Sequence, residues 1–231
     1  MAESEITKMV ERYAKRSRAD ARYSMLEPAV WQSMQERQRK LIAIFKSFLK
    51  KPIENATLLE IGCGWGMNLL ELLRLGFRAE NLTGNELLSD RIEGARHNLP
   101  PAVHLLPGDA STLPLPEASF DVVYQSTVFS SILDDAFQQR LAAEMWRWVR
   151  PGGGILWYDF TYDNPNNPDV RGVTLRRVRE LFPQGKMFAT RLTLAPPISR
   201  LVTRLHPAAY TVFNVVPLLR THVLCWIGKS E

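Results

Sequence analysis

The chain has 231 residues, 45% of them hydrophobic and 23% charged, which excludes collagen-like, low-complexity and intrinsically disordered proteins. Its two cysteines, Cys63 and Cys225, are too few for a disulfide framework or a zinc cluster. We therefore expect no bound metal and a reducing, cytoplasmic location. The net charge of +5 combines basic residues 1–51 (12 basic, 6 acidic), acidic residues 52–160 (7 basic, 14 acidic) and basic residues 161–231 (10 basic, 4 acidic).

These three charge blocks coincide with three predicted structural parts, and the length fits one domain of generous size. In residues 1–51, the apolar side chains of Ile6, Met9, Val10 and Tyr13 recur at helical spacing. A second amphipathic pattern follows and ends before a proline. Residues 1–51 are therefore predicted to form an N-terminal helical cap.

In residues 52–160, short apolar runs alternate with longer helical patterns, as in a parallel sheet built from β-α-β units. Strands are predicted at 58–61, 81–85, 102–106, 120–125 and 155–160, helices at 67–76, 87–98 and 134–150, and a turn at 151–154.

Residues 161–231 open with a Pro- and Asn-rich loop at 161–172. A helix at 174–182, a strand at 186–194, a helical insertion at 196–217 and a strand at 221–228 are predicted to follow. The first twenty residues lack the apolar stretch of a signal peptide, and no apolar run approaches the ~20 residues of a membrane span. We expect neither segment.

The segment Glu60–Gly66, E-I-G-C-G-W-G, places three glycines between a predicted strand and a predicted helix. Such a turn lets a ligand approach the backbone closely. A dinucleotide-binding G-x-G-x-x-G would place its third glycine at 67, where Met67 stands, and no G-K-[S/T] of a phosphate loop follows. An acid before the turn suits a ligand with a cationic amino acid.

This E-x-G-x-G-x-G pattern resembles motif I of the class I S-adenosylmethionine-dependent methyltransferases. Four further patterns resemble the family's later motifs in the same order, namely G-N-E at 84–86, G-D-A at 108–110, F-D-V-V-Y-Q at 120–125 and V-R-P-G-G at 149–153. The resemblance covers about residues 55–160. It implies a Rossmann-like, doubly wound α/β sheet of seven strands whose last strand is antiparallel, with the N-terminal cap and the insertion added.

The resemblance also implies an S-adenosylmethionine site and assigns roles to single residues. Glu86 would bind the ribose hydroxyls, since a carboxylate accepts two hydrogen bonds at once, and Asp109 would receive the adenine amine. Taken singly, these acids would be ordinary loop and turn residues. Cys63 has no neighbouring histidine in the sequence and is expected to be structural. The cofactor-binding residues implied are Glu60, Gly62, Cys63, Gly64, Gly66, Asn68, Glu86, Leu87, Asp109, Ala110, Gln125 and Ser126.

The reaction implied is displacement of the sulfonium methyl by a nucleophile of the acceptor, to which the protein contributes alignment and, where needed, a base. The candidate catalytic residues are Asp159, Tyr162 and His206; Tyr158 and Asp163 are further candidates, and His206 could equally lie in a surface turn. His222 is expected to be structural.

The acceptor is expected to be a small molecule, because the position after the fourth strand reads Gln125-Ser126-Thr127-Val128 and not the tetrad of adenine methyltransferases. Residues 161–231 are similar to bacterial methyltransferases of glycan pathways. This implies a hydroxyl acceptor on a sugar, a nucleotide-sugar or a lipid-linked glycan. Arginines could then meet an anionic group: Arg171, Arg176, Arg177, Arg200 and Arg204.

Two alternatives remain open. One is a non-catalytic cofactor-binding or scaffold protein, with peripheral membrane contact through Ala195–Leu219. The other is an RNA methyltransferase, although the basic blocks show no RNA-binding module and a nucleic-acid partner is not expected. The chain is expected to be a monomer or a homodimer.

Overall fold

The computed structural model describes residues 5–14, 24–165 and 167–231 of the chain. A seven-stranded sheet in the order β3-β2-β1-β4-β5-β7-β6 forms its centre. The strands are β1 Leu58–Ile61, β2 Leu82–Glu86, β3 His104–Pro107, β4 Phe120–Ser126, β5 Val149–Phe160, β6 Lys186–Leu194 and β7 Arg220–Gly228. Strands β1 to β5 pair in parallel, whereas β7 pairs antiparallel with both β5 and β6. The predicted fold class is confirmed.

Helices cover both faces of this sheet. The helices are α1 Glu5–Ala14, α2 Pro28–Phe48, α3 Met67–Leu75, α4 Ser89–Asn98, α5 Asp135–Trp148, α6 Leu175–Leu181, α7 Pro196–Leu205 and α8 Ala209–Asn214. None of the described helices is long and apolar enough to cross a membrane. The predicted helical insertion is thus two helices, α7 and α8, between β6 and β7.

The apolar core divides between the two faces of the sheet. Helices α1, α5 and α6 bury one side with residues such as Met9, Met145 and Val178. Helices α2, α3 and α4 bury the other side with residues such as Leu41 and Leu72. The two helices of residues 1–51 therefore lie on opposite faces, and the division of the chain at 51 and 160 stays a prediction.

The predicted turn at Pro151–Gly154 is wrong, because these residues belong to β5. Their glycines serve close packing. A Cβ on Gly153 would lie 2.4 Å from the carbonyl oxygen of Asp121 in β4, and one on Gly154 would lie 2.5 Å from the Trp226 ring in β7. The run is therefore the place where three strands come close together, and β5 begins six residues earlier than its apolar run.

Candidate functional site

The candidate site lies at the carboxyl edge of the parallel strands, where ligands of open α/β sheets bind. Strands β1, β2, β3 and β4 all end at this edge. The predicted cofactor-binding residues lie at these strand ends, in the loops that follow them or, for Asn68, at the start of α3. Strand β6 also ends there, because β6 and β5 are both antiparallel to β7. The α7–α8 insertion is consequently attached to the same edge as the glycine turn.

All three glycines of the turn have positive φ, +66° at Gly62, +57° at Gly64 and +83° at Gly66, a region that disfavours other residues. A Cβ on Gly62 would lie 2.6 Å from Val128, and one on Gly66 would lie 2.7 Å from Leu99. A Cβ on Gly64 would meet no atom within 4 Å. Gly62 and Gly66 are therefore needed for packing, whereas Gly64 borders open space.

Glu86, at the end of β2, faces this open glycine. Its Oε2 accepts the backbone N–H of Gly64 at 2.8 Å, and its Oε1 accepts that of Leu88 at 2.9 Å. The side chain is buried. These two backbone donors fix the plane of the carboxylate, and each oxygen can still accept from a ligand.

Glu60, the last but one residue of β1, is completely buried. Its Oε1 accepts from Asn68 Nδ2 at 2.6 Å, while its Oε2 has no partner. Burial raises the pKa of Glu60 to about 8, because a charged form without water is unfavourable. A buried acid with an unpartnered oxygen is suited to a ligand that donates a hydrogen bond or carries positive charge.

Arg37 of α2 supports Asn68 and Glu60, although it lies in none of the predicted motifs. One guanidinium nitrogen donates to Asn68 Oδ1 at 2.9 Å and to Glu71 at 3.0 Å. One feature of the sequence indicates that Arg37 faces the interior: it lies four residues before buried Leu41, on the same face of α2 as the apolar stripe. The chain Arg37–Asn68–Glu60 thus connects the N-terminal helices to the glycine turn.

The loop after β3 is organised by its own side chains. Asp109 caps the short turn that follows, accepting from the backbone N–H and hydroxyl of Ser111 at 2.8 and 2.9 Å. Asn85 of β2 donates to the carbonyl of Gly108 at 2.9 Å. Gly108 has φ +110°, and a Cβ on it would meet nothing within 4 Å. Open space therefore also borders this loop, next to Asp109 and buried Ala110.

Four further predicted cofactor residues are buried or half-buried. Cys63 is buried beneath Gly84, and a Cβ added to Gly84 would lie 2.8 Å from the thiol sulfur. Burial raises the pKa of the thiol well above its usual value. Cys63 is therefore not a nucleophile. Gln125 is fully buried and accepts from the backbone of Val128. Leu87 packs against the apolar core, and Ser126 ends β4, half-buried.

Each of the three predicted catalytic residues has its own hydrogen-bond partners in the described part of the chain, and none of these partners is another of the three. Asp159 is fully buried; its oxygens accept from the backbones of Ser130 and Phe160 at 3.1 and 3.0 Å, and burial raises its pKa to about 7. Tyr162 is 48% exposed and its hydroxyl accepts from Arg191. His206 is exposed in the turn after α7 and accepts from Ala208, which matches the surface-turn alternative.

A second group of polar side chains lies on the sheet face that α2 covers. Tyr158 stacks on His222 with ring centroids 5.1 Å apart, and the Arg37 guanidinium lies 5.2 Å from the Tyr158 ring. The Tyr158 hydroxyl bonds Thr193 at 3.0 Å. Burial, with a contribution from Arg37, lowers the pKa of His222 to about 4. The histidine is therefore neutral at pH 7.

Helix α1 crosses the edge of the sheet above the site. The Tyr13 ring packs 4.5 Å from the guanidinium carbon of Arg91 in α4, and its hydroxyl donates to Ser131 in the loop after β4. Arg12 donates to the carbonyl of Ser131 at 3.0 Å. Because these partners follow β2 and β4, α1 spans the space between the two loops.

Comparison with known proteins finds relatives of the central part of this chain. A family model described as a methyltransferase domain matches residues 58–153. A fatty-acid O-methyltransferase of Mycolicibacterium smegmatis is 39% identical over 117 residues, 49% of this chain and 41% of the relative. Phthiotriol/phenolphthiotriol dimycocerosates methyltransferase 1 of Mycobacterium ulcerans is 35% identical over 127 residues, 53% of this chain and 45% of the relative. The chain thus spans less than half the length of these relatives.

A solved structure shares the fold over nearly the whole chain. Geranyl diphosphate C-methyltransferase from Streptomyces coelicolor A3(2), crystallised with Mg²⁺, geranyl diphosphate and S-adenosyl-L-homocysteine, matches with a TM-score of 0.66 and 15% identity, covering 99% of this chain and 100% of that one. The family model, the strand order and the ordered motifs agree. Residues 58–153 thus match a methyltransferase domain, and the chain shares the fold of a solved methyltransferase.

Proposed function

We propose that this chain transfers the methyl group of S-adenosylmethionine to a hydroxyl of a small acceptor that is lipid-like or lipid-linked. The observation that carries the proposal is the open space at Gly64. The carboxylate of Glu86 accepts the backbone N–H of Gly64, and Glu60, four residues before Gly64, has an unpartnered carboxylate oxygen. A methyl donor with a cationic amino acid and a ribose fits these groups, because each presents a donor where the chain presents a spare acceptor.

In this proposal Glu86 accepts from the two ribose hydroxyls and Glu60 holds the ammonium. Gly64 keeps the turn open, and Asp109 with Ala110 meets the adenine. The remaining predicted cofactor residues, Gly62, Cys63, Gly66, Asn68, Leu87, Gln125 and Ser126, shape the pocket or orient these groups.

When bound, the cofactor supplies an activated methyl group, so the chain mainly has to orient the acceptor and exclude water. Helix α1 and the α7–α8 insertion stand at the edge where water would otherwise enter. The acceptor hydroxyl must also lose a proton. Asp159 remains the candidate base because its raised pKa, about 7, matches neutral pH, although its oxygens already accept two backbone bonds.

His222 is the second candidate base, on the opposite face of the sheet. Its neutral ring at pH 7 can accept a proton, and Tyr158 and Thr221 fix its orientation. Its pKa of about 4 makes it the weaker base. The two candidates lie on opposite faces because Val223, next to His222 in β7, is the residue that pairs with Asp159 in β5.

The acceptor class rests on the relatives and on charge. The two relatives reported above are named for a fatty acid and for phthiotriol lipids. Of the arginines considered for an anionic group, Arg171 pairs with Asp135 and Arg176 with Glu180. Arg177 also pairs with these acids. Of these arginines, Arg200 and Arg204 are left to bind an anionic group. Their position on α7 favours an acceptor that binds near this helix.

The test is a methyl-transfer screen with labelled S-adenosylmethionine against fatty acids, lipid-linked saccharides, nucleotide-sugars and phenols. We expect label in a lipid-linked or sugar hydroxyl and none with the Gly64→Val variant, which fills the open space. Transfer to nitrogen or carbon acceptors alone would contradict the hydroxyl proposal. For the base, Asp159→Asn should remove the rising limb of the pH–rate profile near pH 7; an unchanged profile, with loss in His222→Gln, would assign the proton to His222.

A further inference from the structure

The α7–α8 insertion has an inverted distribution of polarity. Its small core consists of Leu194, Val202 and Tyr210. Polar side chains are also turned inward: Ser199, Thr203 and Asn214 are buried. Large apolar side chains point outward instead. The exposed ones are Leu201, Leu205, Val212, Phe213, Val215, Val216 and Leu218, and we call this surface the insertion face.

These seven side chains are half of the fourteen large apolar side chains that are exposed among the described residues, although they lie within 18 positions of the chain. Leu205 is 86% exposed and Leu218 is 85% exposed. Single exposed apolar residues are common on any protein, whereas a concentration of them marks a contact surface. The insertion face therefore has the composition of a contact surface.

The inward bonds show that the insertion is firmly built. Glu36 of α2 is buried and accepts from the Tyr210 hydroxyl at 2.7 Å and from Asn214 at 2.7 Å. It also accepts from the backbone of Thr193 at 2.9 Å. Tyr210 and Asn214 of α8 thus face the interior, and Val212 and Phe213 between them are exposed.

Charge identifies the kind of partner. No acidic residue occurs from Leu181 to Ser230, while six basic residues do. Arg200 and Arg204 lie on α7 beside the exposed leucines, and neither forms an ion pair within residues 5–14, 24–165 and 167–231. A two-fold contact between copies would place these like charges against each other, whereas an anionic lipid surface would neutralise them.

We propose that the insertion face docks on the surface of an anionic lipid bilayer, with Leu205 and Leu218 among the side chains that enter the interface and Arg200 and Arg204 meeting lipid headgroups. Exposed leucine, valine and phenylalanine beside arginine are the composition of an interfacial helix. Since β6 ends at the carboxyl edge, docking would place that edge next to the bilayer. The proposal adds a membrane partner to the proposed function, but vesicle binding is measured without methyl transfer.

The experiment is co-sedimentation of the full chain with vesicles of phosphatidylcholine alone or with 30% phosphatidylglycerol added, a composition of roughly physiological charge. We expect binding to the anionic vesicles, decreasing as salt rises. The Leu205→Ser/Leu218→Ser variant should bind at least about tenfold more weakly, because burying one leucine side chain contributes on the order of tenfold. Both leucines are exposed, so circular dichroism should show an unchanged fold.

Arg204→Glu tests the charge, with Arg176→Glu as its matched control, because Arg176 of α6 is exposed outside the insertion. Only Arg204→Glu should weaken binding to anionic vesicles. Equal effects of both variants, or no binding by the wild type, would overturn the proposal. A wild-type dimer that becomes a monomer in Leu205→Ser/Leu218→Ser, without vesicle binding, would assign the face to a second copy instead. Methyl transfer to a water-soluble acceptor with no vesicle binding would overturn only the membrane proposal.

Discussion

Replacing Glu60 by glutamine should change how the stability of the ligand-free protein depends on pH. Glu60 is fully buried with one oxygen unpartnered, and burial raises its pKa from 4.5 to about 8. The folded protein therefore keeps a proton that the unfolded chain has released between about pH 4.5 and pH 8. Because the folded state binds more protons in this window, its stability falls as pH rises.

The size of this pH dependence follows from the shift in the pKa of Glu60. Each pH unit inside the window lowers the free energy of unfolding by up to about 1.4 kcal/mol, and the whole window sets an upper limit on the order of 5 kcal/mol. Entry of water and relaxation reduce this, so we expect about 2–4 kcal/mol from Glu60 between pH 5 and pH 8. Glutamine keeps the acceptor for Asn68 and does not titrate. The difference between wild type and Glu60→Gln should therefore change by this amount.

Urea unfolding followed by tryptophan fluorescence at pH 5, 6, 7 and 8 measures the difference directly. Asp159 also has a raised pKa, but it is present in both proteins and its contribution cancels. Glu93→Gln removes an exposed acid from α4 and serves as the control. Parallel pH curves for wild type and Glu60→Gln would show that Glu60 is ionised in the ligand-free protein, and the reasoning from its burial would fail.

Three shorter predictions concern S-adenosylhomocysteine binding, measured by calorimetry. Gly64→Ala and Gly152→Ala both place a Cβ at positive φ without a severe clash, so each should lose about 1 kcal/mol of stability, but only Gly64→Ala should weaken binding. Arg37→Met, which releases Asn68, should weaken binding roughly three- to thirtyfold, and exposed Arg39→Met should not. Glu86→Ala should weaken binding by at least roughly tenfold, since two charge-assisted bonds are lost; equal affinity would remove the ribose assignment.

The positions of the strands along the chain could be predicted from the sequence, because buried parallel strands are short apolar runs that differ clearly from helical patterns. Six of the seven strands begin within two residues of the predicted positions. The exception is β5, whose first six residues, from Val149, include the glycine run. Glycine normally marks a turn, and only the neighbouring Asp121 and Trp226 explain why it stands in a strand here.

The candidate site was predictable only where its residues lie within one local motif. Glu60 and Glu86 lie at the ends of β1 and β2, and Gly64 follows β1, so the sheet places them at one edge. Arg37 and His222 could not be selected in this way, because their partners are 31 and 64 positions away in the chain. Such contacts depend on how α2 and β7 pack against the rest of the chain. The periodicity of a single segment does not predict this packing.

The basic blocks show that net charge alone does not predict a partner. Arg37 of the first block is mostly buried and bonds Asn68 and Glu71, and Arg171 of the third block pairs with Asp135. Such arginines build structure. Arg204 is exposed, lies beside exposed leucines and is remote from any acid in the sequence. A charge can recruit an anionic surface only when the fold leaves it unpaired. Arg204 therefore belongs to the positive charge that the fold directs outward, and its insertion is attached to the edge where we propose that the methyl group is transferred.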